Sequence, residues 1–197
     1  MQNQQSAVAS MAKRVANLKA NGFNVNNVKH TKAVNSKQAV IQNAIQAKAT
    51  AIAPMLLQHN GPVYMVGAIS SAIVNGSPVK YAFSTQTAHR GYFKRVQNAL
   101  KACGVTAINP ACPKAFRVAI GLSKTYKPSL NCQNAFNAAS NKYGMQKAIS
   151  KLQNTNKQHA TVCGCVLVIM PNKSFNSAGV QQELMWASNN NKPIYVF

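Results

Sequence analysis

Apolar residues over the first 60 positions recur at the three- and four-residue spacing of amphipathic helices. One stripe runs from Val8 to Leu18, and a second begins near Ser36 and reaches Pro54, a residue type that limits or kinks a helix. No run typical of a strand occurs among these positions. We therefore predict a helical N-terminal appendage over residues 1–60, serving as an oligomerisation arm, a cap or a partner-binding element.

From residue 61 the pattern changes to short apolar runs separated by helical stretches. The apolar runs are PVYMVGAIS, VTAINP, CGCVLVIMP and KPIYVF, at residues 62–70, 105–110, 163–171 and 192–197. Helical spacing occurs at residues 91–104, 132–142, 144–155 and 177–188. Strands that alternate with helices form βαβ units and hence a parallel sheet with helices on both faces. We predict one α/β domain over residues 61–197, with a Rossmann/flavodoxin-like parallel sheet and flanking helices.

Two stretches of this domain show neither the hydrophobic spacing of a helix nor the apolar run of a buried strand. We interpret residues 71–90 as a long polar loop, a length typical of segments that bind something or are disordered, and residues 111–131 as irregular. Ligands of parallel α/β sheets bind at the carboxyl ends of the strands. The loops expected around one crevice are residues 67–71, 109–113 and 171–179. The candidate substrate-binding residues in the first two of these loops are Gly67, Ile69, Ser70 and Asn109.

The helix predicted after the third loop begins beside the same crevice. Ser177 suits its N-cap position, and Gly179 would let a ligand approach the first-turn N–H groups, which attract anions. An ordinary cap and a small packing residue explain the same pair equally well. Arg90, at the end of the polar stretch, is a candidate phosphate contact. Trp186 is expected in the core rather than as a stacking platform.

The charge composition is unusual because acids are missing, whereas bases are not in excess. The chain carries 22 Lys and Arg, a single acidic residue, Glu183, and a formal net charge of +21. It also carries 23 Asn and 15 Gln, which indicates amides where globular proteins usually have acids. Lys and Arg are scattered along the chain instead of clustered, unlike those of dedicated nucleic-acid binders. A nucleic-acid partner is therefore not favoured.

Cysteine spacing and hydropathy bear on whether the protein holds a metal or redox site and whether it contacts a membrane. The five cysteines lack the paired spacing of metal ligands. For Cys163 and Cys165, which stand in an apolar run, we predict buried free thiols rather than a metal or redox pair. Free thiols indicate a reducing, cytoplasmic compartment. No apolar run reaches the roughly 18 residues of a membrane span, so no membrane partner is expected. His59, His89 and His159 are expected at the surface.

Four segments resemble the nucleoside 2-deoxyribosyltransferase-like superfamily, which includes the deoxynucleoside monophosphate N-glycosidases. They are VYMVGAIS, YFKRVQNALKACGVTAINPA, CVLVIMP and SAGVQQELMWASNNNKPIYVF, in the family's order over about residues 61–197. Tyr64 and Gly67 match a strand whose tyrosine enters the family's active site. Ser177 and Gly179 stand where its phosphate-using members bind a 5′-phosphate. The resemblance implies cleavage of the N-glycosidic bond of a (deoxy)nucleoside or nucleoside 5′-monophosphate, and we expect no cofactor.

The same resemblance assigns catalytic roles. The family's nucleophile, in its Ser-x-Gly-Val-x-x-Glu-Leu helix, falls on Glu183. A carboxylate can stabilise or capture an oxocarbenium-like sugar, which an amide cannot do. Tyr64 would position this carboxylate. The family's further acid is absent, and the amides Asn154 and Asn156 occupy its region; we predict Asn156 as the partner of Glu183.

Two alternatives remain open from the sequence. A TIR-like NADase shares the layout and also carries a Glu-Leu pair on a helix after a strand, although VYMVGAIS and INPA fit the transferase family better. The other alternative is a non-enzymatic structural or interaction protein that reuses the fold. Such a protein would assemble through its helical first 60 residues, and we expect a homo-oligomer.

Overall fold

A computed structural model describes residues 28–69, 71–74, 77–122, 132–170 and 174–197. The chain forms two compact units, Met1–Ala44 and Ile45–Phe197. The predicted stripe from Val8 to Leu18 and the candidate residue Ser70 lie outside the described residues. Apart from residues 28–44, the first part of the first helix, the features that follow belong to the second unit.

A four-stranded parallel sheet organises this unit. Its strands are β1 (Val63–Val66), β4 (Ala107–Ile108), β5 (Cys165–Val168) and β6 (Ile194–Val196), and an antiparallel hairpin pairs β2 (Ser71–Val74) with β3 (Ser77–Lys80). The order across the sheet is β4-β1-β5-β6, so that Tyr64 lies between Ile108 and Val166. Every residue of β1 and β5 is buried, as expected for parallel strands covered on both faces. The predicted α/β class with a parallel sheet is confirmed, and the order is consistent with a flavodoxin-like sheet.

Helices flank the sheet. Their bounds are α1 (Val28–Leu57), α2 (Phe83–Ala102), α3 (Pro113–Ala119), α4 (Cys132–Tyr143), α5 (Met145–Val162) and α6 (Ala178–Asn189). Among the described residues, no helix has the length and apolar character to cross a membrane.

Two apolar layers hold the sheet between helices. One face of β1 and β5 packs with buried residues of α1 and α2, namely Ile45, Ala49, Ile52, Leu56, Phe93, Val96 and Leu100. The opposite face carries Tyr64, Val66, Val166 and Val168 and packs with α5 and α6. Because the second half of α1 belongs to the first layer, the division between units falls after Ala44 and not after residue 60, where the appendage was predicted to end.

The segment predicted as a polar loop, residues 71–90, is regular, and that prediction is wrong. It forms the β2–β3 hairpin and the first two turns of α2, which begins at Phe83. Gln86 and His89 are buried there and extend the packing stripe of α2 by two positions toward its N-terminus. Hydrophobic periodicity missed these turns because polar side chains fill the buried positions. His89, expected at the surface, instead packs edge-on against Tyr81 at 5.0 Å between ring centroids.

The other segment predicted to be irregular, residues 111–131, contains the short helix α3, so the prediction is wrong over Pro113–Ala119. Residues 123–131 lie outside the described residues. A small third cluster joins this helix to the α4–α5 pair through Ile120, Leu122, Ala135, Ala139 and Ala148.

The thiols of Cys163 and Cys165 are free and buried. They lie in opposite apolar layers, because β5 begins only at Cys165. Burial raises the pKa of Cys165 to about 11, which keeps this thiol protonated. Burial also raises the pKa of Cys163.

Candidate active site

A cavity of about 430 Å³ opens at the carboxyl ends of the parallel strands, within the range of about 300 to 1,000 Å³ usual for small-molecule sites. The loops after β1, β4 and β5 all contribute to it, through Gly67 and Ile69, Pro110 and Ala111, and Ser177. In an open parallel sheet, crossovers that leave one strand toward opposite edges create a crevice at that point. Here β1 has β4 on one side and β5 on the other, which places the cavity at this reversal.

Most of the predicted site residues line the cavity. They are Gly67, Ile69, Arg90, Asn156, Ser177, Gly179 and Glu183. Tyr64 lies beneath the lining, fully buried in β1, and reaches the site through its hydroxyl group. The cavity is also lined by residues that were not among the predicted site residues, namely Lys80, Gln86, Pro110, Ala111, Phe116, Phe136, Leu152 and Val180. Lys80 and Gln86 were missed because the hairpin and the start of α2 were interpreted as a loop.

Glu183 is the centre of the hydrogen bonding in this cavity. Tyr64 Oη donates to Glu183 Oε1 at 3.1 Å, and Asn156 Nδ2 donates to the same oxygen at 2.7 Å. The three residues come from β1, α5 and α6, and 119 positions separate Tyr64 from Glu183. The fold therefore assembles one carboxylate with two neutral donors at the cavity wall.

Burial is the largest influence on the pKa of this carboxyl group. Desolvation raises the pKa of Glu183 to about 7, and the hydrogen bonds from Tyr64 and Asn156 oppose that rise because they stabilise the charged form. Some of the residue's surface stays accessible through the cavity. Burial also raises the pKa of Tyr64 well above its usual 10, so the phenol remains a proton donor. Glu183 is thus a carboxyl group that ionises near neutral pH, as acid–base and nucleophilic groups of enzymes often do.

His159 belongs to the surroundings of the site although it was expected at the surface. Its ring lies 5.6 Å from the ring of Tyr64, and it follows Asn156 by three positions on α5, which puts both on one helix face. Burial lowers the pKa of His159, so the imidazole is neutral at pH 7. Its Nδ1 is buried without a hydrogen-bond partner in the described part of the chain. The ring supports Tyr64 from behind as an apolar surface.

Two cationic side chains contribute to the cavity lining. Lys80 at the end of β3 and Arg90 on α2 line the cavity, and with Glu183 they are its charged lining residues. Gln86 lies one turn before Arg90 and donates from Nε2 to the Tyr81 carbonyl at 2.8 Å. The causes of the Glu183 pKa shift include neither cation.

Ser177 occupies the N-cap of α6, as predicted, yet its hydroxyl makes no capping hydrogen bond. Ser177 is one of the residues that line the cavity. Gly179 lies in the first turn of α6, and a Cβ at this position would meet no atom within 4 Å. The start of α6 thus presents open backbone to the cavity, which is the arrangement that helix N-termini use for anions.

The side chain of Asn109 has a structural role, because it makes hydrogen bonds within the protein. Its Oδ1 accepts from the Ala111 amide at 2.9 Å, and its Nδ2 donates to Gln97 Oε1 at 3.3 Å. These bonds shape the turn after β4, and Pro110 and Ala111 face the cavity in its place. Asn109, predicted to bind substrate, therefore shapes the loop whose next two residues line the cavity.

A buried serine ties two of the cavity loops together. Ser174 Oγ accepts from the Ala68 amide at 3.1 Å and donates to the Ile169 carbonyl, which joins the loops after β1 and β5. The adjoining Met170 has a φ of 53°, a left-handed conformation that residues other than glycine seldom adopt. No pattern in the sequence marked Ser174, because its role depends on a contact between loops that are 106 positions apart.

Gly67 allows the β1 loop to approach the core. A Cβ there would lie 2.7 Å from Phe93 Cζ and 2.8 Å from the Ile169 carbonyl oxygen. We expect Gly67→Ala to lower the free energy of unfolding by about 1 to 3 kcal/mol, the usual cost of overpacking, in urea denaturation. Gly179→Ala is the matched control, because the added methyl group meets open space and stability should hold. Equal stability of the two variants would contradict the packing role of Gly67.

No protein-family model, no curated protein and no solved structure matches this chain. Among the described residues, no group of three or more His, Cys, Asp or Glu side chains is placed to hold a metal ion. The function is therefore inferred from the carboxylate, its two donors and the cavity that contains them.

Proposed function

We propose that this protein cleaves the N-glycosidic bond of a (deoxy)nucleoside or nucleoside 5′-monophosphate with Glu183 as the nucleophile. The observation that carries the proposal is the placement of the only acidic side chain of the chain in a cavity of suitable size, held by Tyr64 and Asn156. The resemblance of residues 61–197 to the nucleoside 2-deoxyribosyltransferase-like superfamily, with its Rossmann/flavodoxin-like fold, agrees with this arrangement.

The chemistry proceeds in two displacements. The Glu183 carboxylate attacks the anomeric carbon, the carbon–nitrogen bond breaks, and its electron pair leaves with the base, which takes up a proton from solvent water. Water or a second base then displaces the glutamate from the sugar and regenerates the carboxylate. Tyr64 and Asn156 both bind Oε1, so that neither of them engages Oε2, the oxygen we assign to the attack.

Two regions of the cavity favour a phosphorylated substrate. Lys80 and Arg90 supply positive charge to the lining, and the uncapped start of α6 supplies N–H groups near Ser177. The apolar side chains Phe116, Phe136 and Leu152 suit the flat face of a base. We include in the proposal a cytoplasmic location, which the buried free thiols Cys163 and Cys165 support, and a homo-oligomer.

The proposal is tested by base release. Purified protein is incubated with single deoxynucleosides, their 5′-monophosphates and NAD, with and without a second free base, and the products are separated by chromatography. We expect release of a nucleobase from a deoxy substrate, faster for the monophosphate. Formation of a new nucleoside in the free-base arm would identify a transferase, whereas its absence would identify a hydrolase.

Two results would overturn this assignment. Release of nicotinamide from NAD alone would favour the TIR-like alternative. Complete inactivity toward every substrate, in a folded protein, would favour a structural or interaction protein that reuses the fold.

A further inference from the structure

Lysine side chains meet at the corner where α4 turns into α5. Lys142 Nζ lies 5.0 Å and Lys151 Nζ 5.1 Å from the centroid of the Tyr143 ring, so both ammonium groups share one aromatic ring. Lys147 is exposed one helical turn before Lys151, on the same side of α5. We call Lys142, Lys147 and Lys151 the corner cluster.

The backbone holds this corner in place. Gly144, with a φ of 84°, makes the turn between the two helices, a conformation that suits glycine. Tyr143 Oη donates to the Gly121 carbonyl at 2.8 Å, which fixes the ring between the lysines. The side chain of Lys151 passes over Gly121, where an added Cβ would lie 3.0 Å from Lys151 Cδ. Contacts with Tyr143 thus hold Lys142 and Lys151 at this corner, and Lys147 is exposed beside them.

The charge of the corner cluster has no carboxylate to neutralise it. Surfaces of globular proteins usually intersperse acids with bases. Here the single acidic side chain, Glu183, is engaged by Tyr64 and Asn156 in the cavity. Cation–π contacts with Tyr143 therefore take the place of salt bridges, and they leave the positive charge uncompensated.

We propose that the corner cluster is a contact surface for the phosphodiester backbone of nucleic acid. A duplex carries one negative charge per about 1.7 Å of its axis, and a protein that neutralises several phosphates gains affinity by releasing counterions. The sequence disfavoured such a partner because its lysines as a whole are scattered, but Lys142, Lys147 and Lys151 lie within ten positions at the α4–α5 corner. The surface is independent of the glycosidase proposal.

Binding at this surface does not read base sequence. The Tyr143 ring already makes two ammonium contacts, and its hydroxyl group is bound to Gly121, so it offers no stacking platform. Contacts to phosphate fix position without discriminating bases. We therefore expect similar affinities for duplexes of unrelated sequence and a strong dependence on salt.

The test compares two triple variants of equal net charge by fluorescence anisotropy with a labelled DNA duplex. The first carries Lys142→Gln, Lys147→Gln and Lys151→Gln; the control carries Lys94→Gln, Lys157→Gln and Lys192→Gln, which lie on α2, on α5 and just before β6. Removal of one lysine–phosphate contact lowers the slope of log K against log salt by about 1. We expect the slope to fall by about 2 to 3 in the cluster variant and by less than about 1 in the control.

Additional variants and ligands distinguish the possible outcomes. A variant with Lys142→Arg, Lys147→Arg and Lys151→Arg keeps the charge and should retain binding, and thermal melting verifies that each variant is folded. Equal losses of affinity in the two Gln variants would overturn the proposal, since binding would then follow net charge alone. A cluster-dependent preference for vesicles containing phosphatidylserine over DNA would also overturn it, in favour of a membrane surface.

Discussion

Glu183→Gln is expected to reduce base release by about 10³-fold or more, the scale on which loss of a nucleophile or acid–base group is usually felt. The amide has the shape of the carboxylate and can still accept from Tyr64 and Asn156. It carries no negative charge and cannot form the sugar ester. The loss of rate would therefore come from chemistry and not from altered packing. Single-turnover release of base from the preferred monophosphate measures it.

The same variant should be more stable than the wild type at alkaline pH. The pKa of Glu183 rises from 4.5 to about 7 on folding, so between these values the native state binds more protons than the unfolded state. The free energy of unfolding of the wild type therefore falls as pH rises through this window, by at most about 3 kcal/mol. Glu183→Gln has no carboxyl group to ionise at this position. Its free energy of unfolding minus that of the wild type should therefore increase from pH 4.5 to pH 8.

A charge-matched variant controls for the loss of the carboxylate. Gln182→Glu combined with Glu183→Gln keeps one acid and moves it by a single position, to an exposed site on α6. This double variant should be as inactive as Glu183→Gln, because its carboxylate lies outside the arrangement with Tyr64 and Asn156. Activity in either variant would remove Glu183 from the role of nucleophile.

Asn156→Asp is expected to increase base release by roughly 10²-fold, the lower end of the range for a general acid. Asn156 Nδ2 lies 2.7 Å from Glu183 Oε1, and two carboxyl groups at that distance share one proton, because both cannot ionise together. The shared proton then becomes available to the departing base. In the wild type the amide can offer a hydrogen bond but cannot give up a proton.

The pH dependence separates this mechanism from a general effect of charge. The wild-type rate should rise with pH through about 7, as Glu183 loses its proton and becomes nucleophilic. Asn156→Asp should convert that rise into a bell-shaped profile with apparent pKa values that belong to the pair. Asn154→Asp, an exposed change two positions earlier on α5, should leave the profile unchanged. A gain in both variants, or in neither, would contradict the role given to Asn156.

Some of the site was predictable because its residues sit on elements with strong patterns. The continuous apolar runs around Tyr64 and Val166 specify buried parallel strands, and the helical spacing of Val180, Leu184 and Ala187 fixes the face of α6 from which Glu183 projects. Other residues carry no such signal. Lys80 and Gln86 lie in a stretch where polar residues occupy buried or cavity-lining positions, and His159 looks like any polar residue near the end of a helix.

The amino-acid sequence by itself determined the α/β class, the parallel sheet and the position of the single acid, because hydrophobic periodicity and residue identity are local properties of the chain. Only the tertiary structure decided what that acid contacts. Tyr64 and Asn156 reach Glu183 from 119 and 27 positions away, and the pKa of Glu183 follows from burial that no sequence window contains. The corner cluster is partly local, since its three lysines lie within ten positions of one another, but the turn at Gly144 is what places Lys142 and Lys151 on the same Tyr143 ring.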